Sequence, residues 1–594
     1  MRHITANQRQ FLLSFLLSFS KNIWIYLLLI VVTWFARFLL VKDFGLYEDD
    51  WAFTSTAINN SLEQNWWRLT SALQTFWQGR PLHMAFLTFI PFWGAKLGGI
   101  QALYVIGFIL ISLNACLWFS FVRRVTHSTY GALIASLFFC LYPADTTFSL
   151  LQHLFGLQTA LLCILLALHL YITISSSEIL NFGLKGTSYL FAILSLLNYE
   201  SLFLIFFSAP LFRPQHSSRR QKIVHYIAVF VIAIIYLLIR RLAGESRVSE
   251  MGGIIALKKI TQQVALGPLV SLGSFVLRPI QVLNQLLGHY WPALVISSIL
   301  FFVILINLFN LTWRQDNTCV LTFWRRWLMV GLLMTFLAYP SALLLSVTVI
   351  DGRASRVHFS ASLGTTFIFA CFWILLLLAT RTEKFKRYLA LSLLSLQLGL
   401  LFTFCLDIQY QYRLSWQLQQ AFIKDVITLS SDLQENTVIL VQAPSLATGK
   451  QINPFDWSLP LVLESIYLFP SDWQFSPKIY RLYSEANFPD YWQEHILKNN
   501  QFILSQNNLG LYFYLPWEPE RIVDAKNVIL LVEEEDSLVR RDYIIGNSGQ
   551  RIALKMKPKF ISQPNFETTI IFDRLMSSNC DYCGTKPAVY FENH

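Results

Sequence analysis

Between residues 22 and 406 the chain is a succession of apolar runs, and that succession dictates the fold class. The runs fall near 22–41, 100–122, 130–144, 155–174, 188–198, 201–212, 223–241, 291–313, 327–350, 359–380 and 387–406, about eleven in all. Several reach the roughly 20 apolar residues that cross the hydrocarbon of a bilayer. Lipid offers no water to a backbone N–H or C=O, so such runs fold as helices. Composition agrees: 55% of the 594 residues are hydrophobic and only 14% charged, against about 25% charged in a soluble chain. The expectation is an α-helical polytopic membrane protein.

Charge is unevenly spread. Residues 1–406 hold 30 Lys/Arg and 13 Asp/Glu, a balance of +17, and residues 407–594 hold 16 and 22, a balance of −6, which sum to the net +11. With the N-terminus inside, the inner segments 1–21, 123–129, 175–187, 213–222, 314–326 and 381–387 carry 17 Lys/Arg in 71 residues. The outer segments 42–99, 145–154, 199–201, 240–290 and 351–358 carry 12 in 130. That density difference sets the orientation, and it accounts for the basic excess without a nucleic-acid partner. An odd number of crossings then puts residues 407–594 outside. There Thr437–Val441, Asn527–Val532 and Leu509–Tyr514 read as strands, two of them continuous apolar runs and so buried. The expected architecture is a membrane domain over 1–406 and an extracytoplasmic α/β or β-rich domain over 407–594. The Met1-Arg2-His3 start followed by a long span reads as an uncleaved anchor.

Three loops need finer reading. Residues 82–98 are apolar but broken by Pro91, Gly94, Lys96 and Gly98, which suits a helix lying in the outer interface. Residues 188–212 split at Asn198-Tyr199-Glu200 into two halves, each too short to cross unaided. The outer loop 242–290 is amphipathic rather than apolar, with a turn at Ser249–Gly253.

Chemistry concentrates in the outer segments. Glu48-Asp49-Asp50 opens the loop 42–99 just past the first span. A carboxylate oriented by a neighbour can take a proton from an acceptor hydroxyl, and adjacent acids push one pKa up. The competing reading is a solvated acidic tip. Gly79-Arg80-Pro81-Leu82 offers a planar guanidinium for phosphate, or else an Arg that reaches lipid headgroups. Arg353 and Arg356, with His358, lie on the outer side against the charge bias, in Asp351–His358. They suit a phosphate or diphosphate headgroup, or a salt bridge to Asp351 or to an acid of the first loop. Asp145 and Glu200 sit at outer ends of their spans, where an ionisable group is a candidate for function. His153 and His169 read as packing or interface residues. No His/Cys cluster has metal-ligand spacing, Cys580 and Cys583 suggest a local disulfide, and no Gly-rich phosphate loop points to a nucleotide.

These pieces together resemble the GT-C superfamily of polytopic glycosyltransferases, such as protein O-mannosyltransferases and aminoarabinose transferases. Asp49-Asp50 stands where that family has an acidic pair after the first span. Gly79-Arg80-Pro81-Leu82 resembles its Lys-Pro-Pro-Leu-like segment, and Arg123-Arg124 its basic pair ending the second span. The second acid here is Asp, where the family also has Glu. The resemblance implies a polyprenyl-phosphate-linked sugar as donor and a glycan, lipid or protein as acceptor. It implies Asp49 as the general base of an inverting displacement, and Asp50 as its orienting neighbour. Glu48, Arg80, Asp145, Glu200, Arg353, Arg356 and His358 would line the substrates. It leaves room for a divalent cation, for which no ligand set is visible. The implied location is a bacterial inner membrane. A polysaccharide polymerase or ligase, a lipid-linked sugar flippase or transporter, and an assembly scaffold are the alternatives.

Overall fold

The computed structural model describes residues 23–173, 178–213, 219–244, 253–281, 283–312, 321–341, 346–350, 352–443, 452–482, 497–498, 501–504, 511–512, 520–534, 537–545, 551–556 and 566–576. Cys580, Cys583, Asp351 and the turn at 249–252 lie outside the described residues. Helices dominate as far as Leu429: α1 (Ile23–Arg37), α2 (Asp50–Asn59), α3 (Leu62–Gln74), α4 (Pro81–Thr126), α5 (Thr129–Cys140), α6 (Leu151–Thr173) and α7 (Glu178–Asn198). A 3₁₀ helix, Glu200–Phe212, precedes α8 (Arg219–Leu242), α9 (Gly253–Gln281), α10 (Leu283–His289), α11 (Trp291–Thr312) and α12 (Leu321–Leu337). A second 3₁₀ helix, Gly352–Ala361, leads into α13 (Ser362–Ala379) and α14 (Lys384–Leu429). Among the described residues, seven helices are long and apolar enough to cross a membrane by length and composition.

Local chemistry explains where elements break. α4 holds two helices joined at Gly98-Gly99, where the backbone leaves helical geometry. Its first half exposes Trp93 and Leu97, as an interfacial helix does, and Trp66 of the amphipathic α3 packs on Phe89 beside it. α5 stops at Cys140, three residues before Pro143. The run 188–212 does divide, with Tyr199 in extended conformation between α7 and the 3₁₀ helix. The expected span 327–350 holds a helix only to Leu337, just before Pro340, which cannot extend a helix as a donor.

One expectation needs correction. The segment 242–290, read as an outer loop amphipathic rather than apolar, is mostly helix, and Ile255–Gln281 of α9 is one of the seven helices long and apolar enough to cross. α9 buries Ser271, Ser274, Phe275 and Arg278 along one stripe, the spacing of an amphipathic helix. α14 runs 46 residues without interruption across position 406, about 69 Å at 1.5 Å per residue, so the composition changes there within one helix.

The C-terminal region is built on a five-stranded sheet of β1 (Val438–Gln442), β2 (Lys478–Leu482), β3 (Leu511–Tyr512), β4 (Val528–Glu534) and β5 (Ser537–Arg541), in the order β3-β2-β1-β4-β5. β1 pairs in parallel with both β2 and β4. A central parallel strand is covered on both faces, which is why Val438–Val441 and Val528–Val532 are continuous apolar runs. One face, with Ile439, Val441, Ile479 and Ile529, joins Phe44, Tyr47 and Trp51 of the first loop and Tyr412, Trp416 and Phe422 of α14 in a single core. The strand-bearing region and the helical region therefore share apolar interior.

Gly45 sits at that junction. A Cβ placed on it would lie 1.8 Å from Cε3 of Trp416, whose ring stacks on Trp51. Gly45→Ala is expected to destabilise the chain by about 1–3 kcal/mol through overpacking. Combined with Trp416→Leu the loss should be smaller than the sum of the single changes, as read by thermal unfolding of the full chain.

Candidate functional site

The acidic triplet bends sharply. Glu48 has a positive φ of 47°, and its backbone is tied to the strand-bearing region: its N–H donates to the Pro454 carbonyl at 3.2 Å and its carbonyl accepts from Ser458 Oγ at 2.6 Å. Its side chain is fully buried. Helix α2 begins at the next residues, so the carboxylates of Asp49 and Asp50 diverge.

Asp50 turns inward. Its carboxylate accepts from the backbone N–H of Leu151 at 3.1 Å and of Gln152 at 2.9 Å, and from that of Tyr47 at 3.4 Å. Leu151 and Gln152 open α6, where a helix leaves N–H groups without intrahelical partners and favours negative charge. Asp50 is thus a cap supplied from another helix. Burial pushes its carboxyl up to about 7, against the pull of these three donors.

Asp49 faces the opposite way. One oxygen pairs with Arg353 Nη2 at 2.8 Å and with Arg356 Nη1 at 3.9 Å. The other accepts the indole N–H of Trp457. The two arginines lie three apart on the 3₁₀ helix Gly352–Ala361, in which positions i and i+3 eclipse. Of the two alternatives read for them, a headgroup or a salt bridge to the first loop, this structure holds the salt bridge. Arg356 also donates Nη1–H to His153 Nε2 at 2.8 Å, which makes that ring neutral with Nε2 as acceptor.

Arg80 meets Glu200 through two bonds, Nε–Oε2 at 2.7 Å and Nη2–Oε1 at 2.6 Å. Its guanidinium lies 3.9 Å from the centroid of the Tyr199 ring. Arg240, from the end of α8, approaches the same carboxylate at 3.6 Å. Gly79 permits this: it has φ +72°, and a Cβ there would lie 2.5 Å from Arg240 Nε. Burial alone would raise the Glu200 pKa, but Arg80 and then Arg240 bring it down to about 2. The two clusters sense one another, since the charges of Arg353, Asp49 and Arg80 all act on Arg356. Among the described residues, four guanidinium groups, those of Arg80, Arg240, Arg353 and Arg356, gather around the carboxylates of Asp49 and Glu200.

Asp145 and His358 stand apart from that group. Asp145 Oδ1 accepts from the Thr147 N–H at 2.8 Å and hydroxyl at 2.7 Å, and from Ser355 Oγ at 3.5 Å. It ties its own loop to the helix that carries the arginines. His358, three residues after Ser355, is fully buried, and its Nδ1 lies 3.1 Å from Ser271 Oγ and 2.9 Å from the Tyr339 hydroxyl. Grouping His358 with Arg353 and Arg356 as a ligand-binding residue is therefore corrected: the 3₁₀ turn aims it at α9. His169 bonds the Leu117 carbonyl at 3.0 Å. Among the described residues no His, Cys, Asp and Glu cluster has the make-up of a metal site, and the divergent Asp49 and Asp50 do not converge on one point for a cation.

The sequence reading missed Arg240, Trp457 and the contact of His153. Arg240 carried a signal, being a cation at the outer end of a span against the charge bias, as Arg353 and Arg356 are. Trp457 carried none, because it lies more than 400 residues from Asp49 in the chain.

Two outcomes follow from this geometry. Asp50 holds a proton more tightly folded, near pH 7, than unfolded, near pH 4. Its contribution to stability is therefore complete below about pH 4 and lost as pH rises through about 7. Asp50→Asn should flatten that part of the stability profile, read by thermal unfolding across pH 4–8. Glu200→Gln removes the carboxylate that buried Arg80 and Arg240 share, and should cost about 3–5 kcal/mol by the same assay.

No family model, curated protein or solved structure matches the chain.

Proposed function

We propose that the chain is a membrane glycosyltransferase. It moves a sugar from a polyprenyl-phosphate donor to an acceptor hydroxyl on the non-cytoplasmic face, with Asp49 as general base. The observation that carries this reading is the carboxylate of Asp49 held against Arg353 and Arg356, beside the Arg80–Glu200–Arg240 cluster. Guanidinium groups gathered beside a carboxylate suit a reaction that takes a proton and expels a phosphate.

The topology that fits has the N-terminus inside and eleven crossings. In it α9 is not a crossing. Its Ser271 meets His358, and its Arg278 meets the Ile350 carbonyl, so its second half lies against outer-side residues, and the strand-bearing region stays outside. α3 and the first half of α4 rest in the outer interface with Trp66, Trp67 and Trp93 exposed, the place such side chains favour.

The step divides among the residues as follows. The donor's anionic phosphate competes with Asp49 for Arg353 and Arg356, because a phosphate accepts the same two-pronged donor. As they turn toward phosphate they withdraw less charge from Asp49, which makes its carboxylate a stronger base. The carboxylate takes the acceptor hydroxyl's proton as the acceptor oxygen bonds to the anomeric carbon and the carbon–phosphate-oxygen bond breaks. Configuration inverts, and polyprenyl phosphate leaves with its charge held by arginine. Arg80, locked by Glu200, supplies a further fixed charge with no reorganisation. Asp50 holds α2 on the N-terminus of α6 and so fixes where Asp49 points.

Asp49→Asn should lower transfer by about 10²- to 10⁴-fold, the usual contribution of a positioned base, while prenyl-phosphate binding is retained. Mass spectrometry of envelope glycans from cells with and without the active protein, and with the variant, reads the result. Unchanged glycans in all three would refute the transferase, and lipid translocation without a new glycosidic bond would identify a flippase instead.

A further inference from the structure

The second oxygen of Asp49 accepts the indole N–H of Trp457, while the first pairs with Arg353 and Arg356. The arginines carry charge, and Arg356 is also held by His153. The indole is neutral, so of these partners its N–H is the one that an incoming hydroxyl displaces at least cost.

Trp457 does not stand alone. Its ring meets Phe53 at 6.3 Å, and Phe53 meets Trp77 at 5.6 Å, both edge-on. All three rings are half-buried. They come from three parts of the chain: the 3₁₀ helix Asp456–Leu461 of the strand-bearing region, helix α2, and the turn before Arg80. The segment holding Trp457 is seated firmly. Ser458 bonds the Glu48 carbonyl, and Asn59 Nδ2 donates to the Ser465 carbonyl at 2.9 Å. Three half-buried aromatic rings in contact, one of them bonded to a carboxylate, are the chemistry that grips a sugar. The rings take the apolar C–H face of a pyranose while the carboxylate takes a hydroxyl.

We infer that Trp457, Phe53 and Trp77 form an acceptor-side sugar subsite in which the Trp457 indole N–H holds the position of the acceptor hydroxyl on Asp49. The acceptor class is then a glycan, bound by stacking, rather than a peptide or a lipid headgroup. The strand-bearing region contributes a positioning residue to the site through Trp457. The inference rests on the transferase reading only in naming the bound sugar an acceptor.

The test uses the full chain in lipid nanodiscs and two probes: methyl glucoside and methyl mannoside for the sugar subsite, and prenyl phosphate for the arginines. Titration calorimetry should show that Trp457→Ala weakens glycoside binding at least tenfold and leaves prenyl-phosphate binding within twofold. Trp457→Phe keeps the ring and lacks the N–H, so it should bind glycoside as well as the native chain or better. Trp77→Leu, in a different element, should weaken glycoside binding by several-fold and guards against a folding defect in the first variant. Equal glycoside affinity in the native, Trp457→Ala and Trp77→Leu chains, or no glycoside binding by the native chain, overturns the subsite. Loss of both ligands together in the two variants overturns it as well. Failure of the native chain to bind prenyl phosphate, with glycoside binding intact and dependent on Trp457, overturns the donor assignment and leaves the subsite standing.

Discussion

The carboxylate of Asp49 is the point on which the rest of the outer face is organised. It is nearly buried, and a buried charge persists only when paired and hydrogen-bonded. Three segments meet that requirement together: the start of α2, the 3₁₀ helix Gly352–Ala361 and the 3₁₀ helix Asp456–Leu461. Each is anchored elsewhere. Asp50 fastens α2 to α6, Asp145 fastens the 352–361 helix to the loop before α6, and Ser458 fastens the third segment to Glu48. The position of one oxygen pair is therefore over-determined by the fold, which is the condition for a preorganised site.

The two adjacent aspartates illustrate how neighbours in sequence acquire unlike environments. A helix start rotates successive side chains by about 100°, so one carboxylate meets helix N–H groups and the other meets arginine. Backbone donors hold Asp50 in place. Asp49 is held by side chains from two other segments. Glu200 is a third case: two arginines keep it ionised, and it in turn holds them together.

The shared core also changes how the C-terminal region is to be viewed. One face of its central sheet has an interior of its own, with Val438, Leu440, Tyr480 and Val528. The other face and the 46-residue α14 bury the same apolar cluster as the segment that follows α1. Trp457 reaches Asp49 because that interior fixes the strand-bearing region on the helical one.

Much of the helical layout was legible in sequence because hydropathy is a local property: a run of apolar residues has one solution in lipid, and most such runs coincide with a helix, although 327–350 is helical only to Leu337. The break at Gly98-Gly99, the division at Tyr199 and three of the five strands of the central sheet were readable for the same reason, since Gly, Pro and apolar periodicity act over a few residues. Lys478–Leu482 and Ser537–Arg541 escaped because charged residues interrupt them. Helix α9 was read as an amphipathic loop because its polar stripe lowers its hydropathy until a partner surface is known. The continuity of α14 escaped because composition changes at 406 while helix propensity does not. Which charges pair was beyond the sequence altogether. Arg80 and Glu200 are 120 residues apart, and Trp457 and Asp49 are 408 apart. The chain itself determined that these acids and arginines would lie in the segments that join its apolar runs. Only the tertiary packing decided that Asp49 takes two arginines and a tryptophan, Asp50 a helix end, and His358 a buried hydroxyl cluster. Electrostatic partnership depends on distance in space, and a sequence records distance only along the chain.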